Sequence, residues 1–284
     1  MPWPISATSL SGCWGERVTR ETPPEKLRLG GMALRNGLLV HGPTHWAAAV
    51  RARDGGIRTA SGAKPRVRGL DAVPGARGLA RLAEAFAVIP LVKRALPDAR
   101  LPFQDARVIG VAVGAAAAGS TLRRRAGGGL GSEAAAGVLA LAPALFALRR
   151  GELASYHGVE HKSIAAYEQD TPDAADAAKE HDRCGSNLVA PMLAANVAGS
   201  VLVRRLLGRP GPVANAAVAL SSMAAAVEVF AWSERHADTR LAHALRRPGH
   251  ELQRALGTRE PDEPQLEVGR AALAEILRVE GVEA

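Results

Sequence analysis

The stretch VANAAVALSSMAAAVEVFAW, residues Val213–Trp232, decides the fold class, because it contains a single charged residue, Glu228, among small and aliphatic side chains. A helix needs roughly 20 such residues to cross a hydrocarbon core about 30 Å thick. Three further stretches are largely uncharged and apolar: Ala106–Leu122, Leu130–Leu148 and Ser186–Val203. The first is close to the lower length limit of about 17 residues. The sequence therefore predicts a mainly α, polytopic membrane protein with about four transmembrane helices.

The composition supports this fold class. Apolar residues make up 47% of the 284 residues, but aromatic residues only 4%. The hydrophobicity thus comes from Ala, Leu and Val in long runs, rather than from the alternating patches of a soluble fold. Because Ala-rich spans are individually weak, a soluble all-α bundle with buried Ala helices is the alternative.

The net charge of +8 raises the question of a nucleic-acid partner. The basic residues are mostly Arg, are spread along the chain and have few aromatic neighbours that could stack on bases. A nucleic acid is therefore not favoured as a partner. The predicted partner is the lipid bilayer, with anionic lipid headgroups as candidates for the basic N-terminal region. The oligomeric state stays open.

The N-terminal third is expected to lie outside the membrane. Residues 1–28 are predicted to be disordered and contain no apolar core of signal-peptide length. Residues 29–105 are predicted to form a β-rich unit and an amphipathic helix. The turn signal Asp54-Gly55, between two β-prone runs, marks a hairpin within this unit.

The amphipathic helix follows from apolar residues at helical spacing: Leu79, Leu82, Phe86 and Ile89. Pro90 is expected to end or kink it. This helix is predicted to lie in the membrane interface, with packing on the hairpin unit as an equal alternative.

The membrane domain is predicted to cover residues 106–232, with a loop at 149–185 between the second and third spans and a tail at 233–284. Four spans place the N-terminal region, the loop and the tail on one side. Most Lys and Arg residues lie on that side, which the positive-inside rule makes cytoplasmic.

The 149–185 loop carries the residues with metal-ligand chemistry. On a helix, His157 and His161 lie one turn apart with Glu160 beside them. Two neutral imidazoles at this spacing can hold one Zn²⁺, and the Glu can act as general base on a metal-bound water. His181 and Cys184 add two more candidate ligands. Four protein ligands favour a closed structural site, and three favour catalysis, while each histidine alone could be an ordinary loop residue.

Two further carboxylates are candidates for a third ligand or for a residue that supports the ligands. Glu168 continues the helical stripe of His157 and His161. Glu228 is an ionisable group in an apolar span, which is costly and by default suggests function. The alternative for Glu228 is an ion pair with Arg235 or contact with lipid headgroups.

At these residues the chain resembles the YqhQ-type family of bacterial membrane proteins, described as metal-dependent enzymes of uncertain function. The family pattern Tyr-His-Gly-Ala-Glu-His-Lys, followed by His-Pro-Arg-Cys-Gly, is similar to Tyr156–Lys162 and His181–Gly185 here. Further matches are Gly30-Gly31, Gly42-Pro43, Arg77-Gly78, Glu84, Glu228 and Thr258–Asp262. The resemblance implies a protein of the bacterial inner membrane with a metal site.

The chain departs from the family pattern at three positions. The usual Gln and Glu of the opening Gly-rich motif are Met32 and Asn36, so a role for that Glu does not carry over. The Pro of the second motif is Asp182, which leaves both candidate ligands in place.

The leading hypothesis is a metal-dependent, hydrolase-like membrane enzyme with its active site at the cytoplasmic face. Zinc, or another divalent metal, is the expected cofactor, and Glu160 is the expected catalytic residue. The alternative is a non-catalytic scaffold or partner-binding protein with a structural zinc site. A transporter that uses Glu228 is the third hypothesis, disfavoured by four short spans without evident repeats.

Overall fold

The computed structural model describes residues 26–66, 69, 76–127 and 129–282. These residues form a mainly helical protein with a four-stranded antiparallel sheet near the N-terminus. The helical fold class and the β-rich unit are therefore confirmed. The segment predicted to be disordered lies outside the described residues, apart from Lys26 to Arg28. Lys26 donates a hydrogen bond of 2.6 Å to the backbone carbonyl of Tyr167.

The sheet is a meander of four strands in the order β1-β2-β3-β4. The strands are β1 Gly30–Leu34, β2 Gly37–His41, β3 His45–Arg51 and β4 Ile57–Ala63. The predicted turn at Asp54-Gly55 joins β3 to β4. Gly55 has a φ of 84°, a conformation that favours glycine.

Both faces of β2 and β3 are buried. Leu38, Val40, Ala47 and Ala49 share a core with two helices, α5 and α9, defined below. The alternate residues Leu39, Trp46, Ala48 and Val50 pack on a third helix, α1. This double burial explains why β2 and β3 are largely apolar instead of alternating.

Nine α-helices occur in the described residues: α1 Ala76–Ala95, α2 Ala106–Arg125, α3 Leu130–Leu139, α4 Ala142–Arg149, α5 Leu153–Gln169, α6 Val189–Leu207, α7 Pro212–Arg235, α8 Arg240–Leu252 and α9 Glu263–Glu280. A π-helical turn, Gln253–Gly257, extends α8. The segment 149–185, expected as a loop, thus contains helix α5, and the predicted tail is largely α8 and α9.

Helix α1 differs from its prediction in two respects. It continues through Pro90, which lies on its exposed side, where water can satisfy the carbonyl that the proline leaves unbonded. It buries Val88, Ile89 and Val92 against the sheet, whereas Phe86 of the predicted apolar stripe is 54% exposed. The half of α1 that contains Pro90 therefore packs on the hairpin unit, as the alternative prediction had it.

Three helical segments are long and apolar enough to cross a membrane: Leu130–Arg149, Gly185–Leu207 and Pro212–Arg235. They correspond to the second, third and fourth predicted spans. Helix α2 contains the first predicted span and packs against α3 and α4. It is not among the three candidates, since Arg107 and Arg123–Arg125 shorten its apolar run. Four spans are therefore not confirmed by length and composition.

Helix α5 lies at the centre of the non-membrane part of the protein. Twelve of its 17 residues are buried. It packs against β1 and β2 on one side and against α9 on another. At Gly158 the helix passes so close to the backbone carbonyl of Arg259 that an added Cβ would overlap that oxygen. Lys162, also buried, donates hydrogen bonds of 2.9 Å and 2.8 Å to the carbonyls of Ala175 and Ala177.

The contact at Gly158 predicts the effect of a single methyl group. Helix propensity alone predicts that Gly158→Ala stabilises the protein by up to about 1 kcal/mol. Because the new methyl group would meet a backbone oxygen that cannot move independently, we expect the free energy of unfolding to fall by about 2 kcal/mol. Thermal unfolding of the detergent-solubilised protein measures the change. Gly30→Ala, where an added Cβ meets nothing within 4 Å, is the control. An unchanged or raised transition for Gly158→Ala would contradict this packing.

Candidate metal centre

Three of the predicted ligands converge at one place. One ligand atom each of His157, His161 and Cys184 lies within 4.8 Å of the other two. The histidines are one turn apart on α5, and Cys184 precedes a short 3₁₀ turn, Gly185–Leu188, that leads into α6. His161 and Cys184 are buried and His157 is half-buried. The group therefore joins α5 to the segment that enters the third predicted span.

Hydrogen bonds to backbone carbonyls fix both histidine rings. Nδ1 of His157 lies 2.8 Å from the carbonyl oxygen of Gly257, and Nδ1 of His161 lies 2.6 Å from that of Lys179. A carbonyl oxygen can only accept, so each Nδ1 carries a proton, and in the neutral imidazole Nε2 is then the nitrogen with the lone pair. This is how proteins commonly orient histidines that bind a metal.

The second nitrogen of the His157 ring contacts the sulfur of Cys184, and that of the His161 ring has no partner among the described residues. Nε2 of His157 lies 3.4 Å from Sγ of Cys184. Ligands of one tetrahedral zinc, with Zn–N near 2.05 Å and Zn–S near 2.3 Å, lie about 3.5 Å apart. Nε2 of His161 is buried and has no hydrogen-bond partner among the described residues. Such a buried, unpaired acceptor costs free energy, which a bound cation would recover. Two imidazole nitrogens and one thiolate form a donor set that suits zinc.

His181, the fourth predicted ligand, lies beside this group. Its ring centroid is 5.8 Å from that of His161. Its Nδ1 accepts a hydrogen bond of 3.2 Å from the backbone N–H of Arg183, and its Nε2 lies 3.2 Å from a carboxylate oxygen of Glu168. Both nitrogens are thus engaged, and the structure separates His181 from the three converging ligands.

Glu168 connects His181 to Arg183, whose guanidinium also contacts the carboxylate. Burial raises the pKa of Glu168, but hydrogen bonds from His181 and Arg183 outweigh it and leave this pKa below its usual value. The carboxylate therefore stays ionised and orients the His181 ring. Glu168 is placed to support the centre and not to bind the metal.

Glu160, the predicted catalytic residue, is buried between α5 and β1. A Cβ at Gly31 would lie only 2.6 Å from its Cγ, so the side chain occupies the space that the glycine leaves. This contact accounts for one glycine of the Gly30-Gly31 pair. Glu160 is not in the converging group of ligand atoms.

Glu228 lies in a different place from the three ligands. It lines a cavity of about 680 Å³ between α7, the start of α1 and the residues before β1. Arg183 lines the same cavity and also contacts Glu168. Glu228 thus belongs to a polar cavity that adjoins the centre through Arg183.

Gln253, which no pattern in the sequence indicated as functional, is completely buried. Its Oε1 accepts a 2.8 Å hydrogen bond from the backbone N–H of His181, and its Nε2 donates one of 2.8 Å to the hydroxyl of Ser186. The amide thereby holds the turn that carries Cys184. Gln253 also begins the π-helical turn that presents the carbonyl of Gly257 to His157. Such turns often occur at functional sites. A Gln 72 residues from its partner forms no local pattern that sequence reasoning could detect.

Comparison with known proteins identifies one family. Residues 150–279 match the family described as Protein of unknown function (DUF1385). The match begins just before α5 and ends in α9, so it contains all three converging ligands and Gln253. It is consistent with the resemblance to the YqhQ-type family. No match was found among curated proteins or among solved structures.

The geometry predicts which substitutions remove a bound metal. Purified wild-type protein should contain about one zinc per chain, because the three donors form one zinc site. His161→Ala and Cys184→Ala should each lower zinc affinity by about 100-fold or more, since each removes a ligand, whereas His181→Ala should retain most of the metal. Elemental analysis after dialysis against a weak chelator measures the content.

His243→Ala is the matched control, because His243 is an exposed histidine of α8. Full zinc occupancy in both His161→Ala and Cys184→Ala would exclude the three-residue centre. Loss of zinc in His181→Ala to the same extent would show that the centre has a fourth protein ligand.

Proposed function

We propose that this chain, whose residues 150–279 match the DUF1385 family, is a zinc-dependent membrane enzyme with hydrolase-like chemistry, whose metal is held by His157, His161 and Cys184. The observation that carries the proposal is the orientation of the two imidazoles. Each donates its Nδ1 proton to a backbone carbonyl, which leaves Nε2 as the ring atom available to a cation. Ligand atoms of both rings lie within 4.8 Å of each other and of the Cys184 sulfur.

Three protein ligands favour catalysis over a purely structural site. Structural zinc sites generally have four protein ligands, whereas catalytic sites have three and an open position. Zinc would supply Lewis acidity there and lower the pKa of a coordinated water to about 7. Glu160 is the proposed proton acceptor, because it is a buried carboxylate on the same helix, three residues from one ligand and adjacent to the other. Gly31 restricts its position from the side of β1.

The contacts of α5 support four spans. Strand β1 precedes every membrane helix, and α5 follows α4. Because β1 and α5 are in contact, they lie on the same side of the membrane. The chain must therefore cross the membrane an even number of times between them. The segment Leu130–Arg149 supplies one crossing. Helix α2, antiparallel to it and of 20 residues, supplies the second, because Arg residues at its ends can reach the headgroups.

Similar contacts support a location of α9 on the same side of the membrane as the sheet and α5. Helix α9 packs on both the sheet and α5, and the two intervening segments, Gly185–Leu207 and Pro212–Arg235, return the chain to the same side. The excess of Lys and Arg on that side favours the cytoplasm, and the family resemblance favours the bacterial inner membrane.

A structural zinc site is the second candidate function. Its supporting observation is that the three ligands join two segments separated by more than 20 residues and are at least half-buried. In that case the metal would hold the entry of α6 against α5, and the sheet unit would be a scaffold for a partner.

Cysteine labelling tests the topology. Ala178 is exposed in the segment between α5 and α6, and Gly129 is exposed between α2 and α3. Four spans place these residues on opposite sides of the membrane. In intact cells, an impermeant maleimide should therefore label Gly129→Cys but not Ala178→Cys, in a background with Cys13 and Cys184 replaced. Labelling of both in lysed cells is the control, and the reverse pattern in intact cells would overturn the orientation.

Glu160→Gln separates catalysis from a structural role. The substitution keeps the shape of the side chain but removes the proton acceptor, which typically costs roughly 10²- to 10⁴-fold in rate. Untargeted mass spectrometry of lipid and polar extracts should then show the same accumulated compounds in cells carrying Glu160→Gln, cells carrying His161→Ala and cells that lack the protein. Zinc content and thermal unfolding of Glu160→Gln should remain normal.

Asp176→Asn, at an exposed carboxylate near α5, is the matched control and should behave as the wild type. If cells carrying Glu160→Gln show the same compounds in their extracts as wild-type cells, while cells carrying His161→Ala do not, the metal is structural. The catalytic assignment would then be wrong.

A further inference from the structure

Helix α6 carries a polar stripe that the metal centre does not use. Asn196, Ser200 and Arg204 lie at successive positions four residues apart, on one face of a helix that is largely apolar before its last turn. Polar residues in a membrane-spanning segment are costly and generally face a protein interior or a polar cavity. These three line one cavity.

This cavity has a volume of about 820 Å³ and lies between α2, α6 and α7. Helix α2 contributes Arg123 and Arg124, and Arg209 follows the end of α6. The cavity lining thus contains four arginines and no carboxylate among the described residues. We call it the arginine cavity.

One buried carboxylate compensates part of this charge. Glu133 of α3 is 1% exposed and accepts hydrogen bonds of 2.8 Å from Nε of Arg123 and 3.2 Å from Nη2 of Arg204. No ion pair in the described part of the chain engages Arg124 or Arg209. Nε of Arg204 is buried and has no hydrogen-bond partner among the described residues. The cavity therefore has more cationic donors than the protein itself satisfies.

The position of the arginine cavity in the membrane bears on why these unsatisfied cationic donors are present. Helix α6 has 19 residues and is about 28 Å long, so Arg204, near its end, is far from Cys184, which precedes its start. In the four-span topology the cavity opens on the non-cytoplasmic side. Arginines near the ends of spans on that side oppose insertion in the orientation proposed above. Because these arginines make membrane insertion less favourable, their presence indicates that they have a function there.

We infer that the arginine cavity is a binding site for a phosphate group. Guanidinium groups bind phosphate oxygens with paired, charge-assisted hydrogen bonds. Asn196 and Ser200 add neutral donors deeper in the cavity, and its volume accommodates a free phosphate or a phospholipid headgroup. Both sources present the same anionic group to the arginines. The site is independent of the zinc centre.

Calorimetric titration of the detergent-solubilised full-length protein tests the inference with two probes. Inorganic phosphate represents the free anion, and short-chain phosphatidylglycerol represents the headgroup. We expect at least one probe to bind. The double variant Arg124→Gln, Arg209→Gln should weaken that binding by about tenfold or more, since each arginine supplies charge-assisted hydrogen bonds. Both residues are exposed and lie outside the Glu133 pair, so the fold should persist.

The matched control is Arg125→Gln, Arg205→Gln, which removes the same charge from the same end of the bundle but outside the cavity lining. It should change affinity by no more than about twofold. Ser200→Leu fills the cavity without changing its charge and should also weaken binding.

Binding of phosphate alone identifies a free anion as the ligand, and binding of phosphatidylglycerol alone identifies a lipid. The inference is overturned if the wild type binds neither probe, or if the control pair loses as much affinity as the cavity pair. Zinc content, measured in parallel, should be the same in all variants.

Discussion

The enclosure of helix α5 is the constraint on which the rest of the structure depends. The helix is covered by β1, which precedes the membrane helices, and by α9, which follows them. In the four-span topology proposed above, the intervening chain returns twice to the same side of the membrane, which permits this enclosure. It also brings the Gly30-Gly31, Tyr156–Lys162 and Thr258–Asp262 motifs together, although they are distant in sequence. Gly31 and Gly158 are needed because β1 and the backbone of Arg259 approach α5 too closely for a side chain.

The same enclosure orients the side chains of the candidate metal centre. Its two histidines are held by carbonyls of Lys179 and Gly257, which belong to different segments, and the turn of Cys184 is held by Gln253. The ligands are therefore oriented by the fold before any cation binds. Because reorganisation costs are small in such a site, a metal can bind tightly even with three protein ligands.

Sequence reasoning recovered the parts of this arrangement that depend on local patterns. The Asp54-Gly55 turn, the three most apolar spans and the i, i+4 histidines all follow from the periodicity of strands and helices. It did not recover contacts that depend on tertiary packing. Pro90 lies within a helix because its exposed side tolerates the lost hydrogen bond, and Gln253 reaches His181 only through the fold. His181 and Cys184 look equivalent in the sequence, but the Glu168 carboxylate draws His181 away from the other ligands.

X-ray absorption at the zinc edge of the purified protein tests the central claim most directly, because it counts the atoms bound to the metal by type. A centre formed by His157, His161 and Cys184 predicts two nitrogen neighbours from imidazole at about 2.0 Å, one sulfur at about 2.3 Å and one further light atom from solvent. In Cys184→Ala the sulfur signal should disappear. A spectrum without sulfur in the wild type, or a purified protein without a bound metal, would contradict the account.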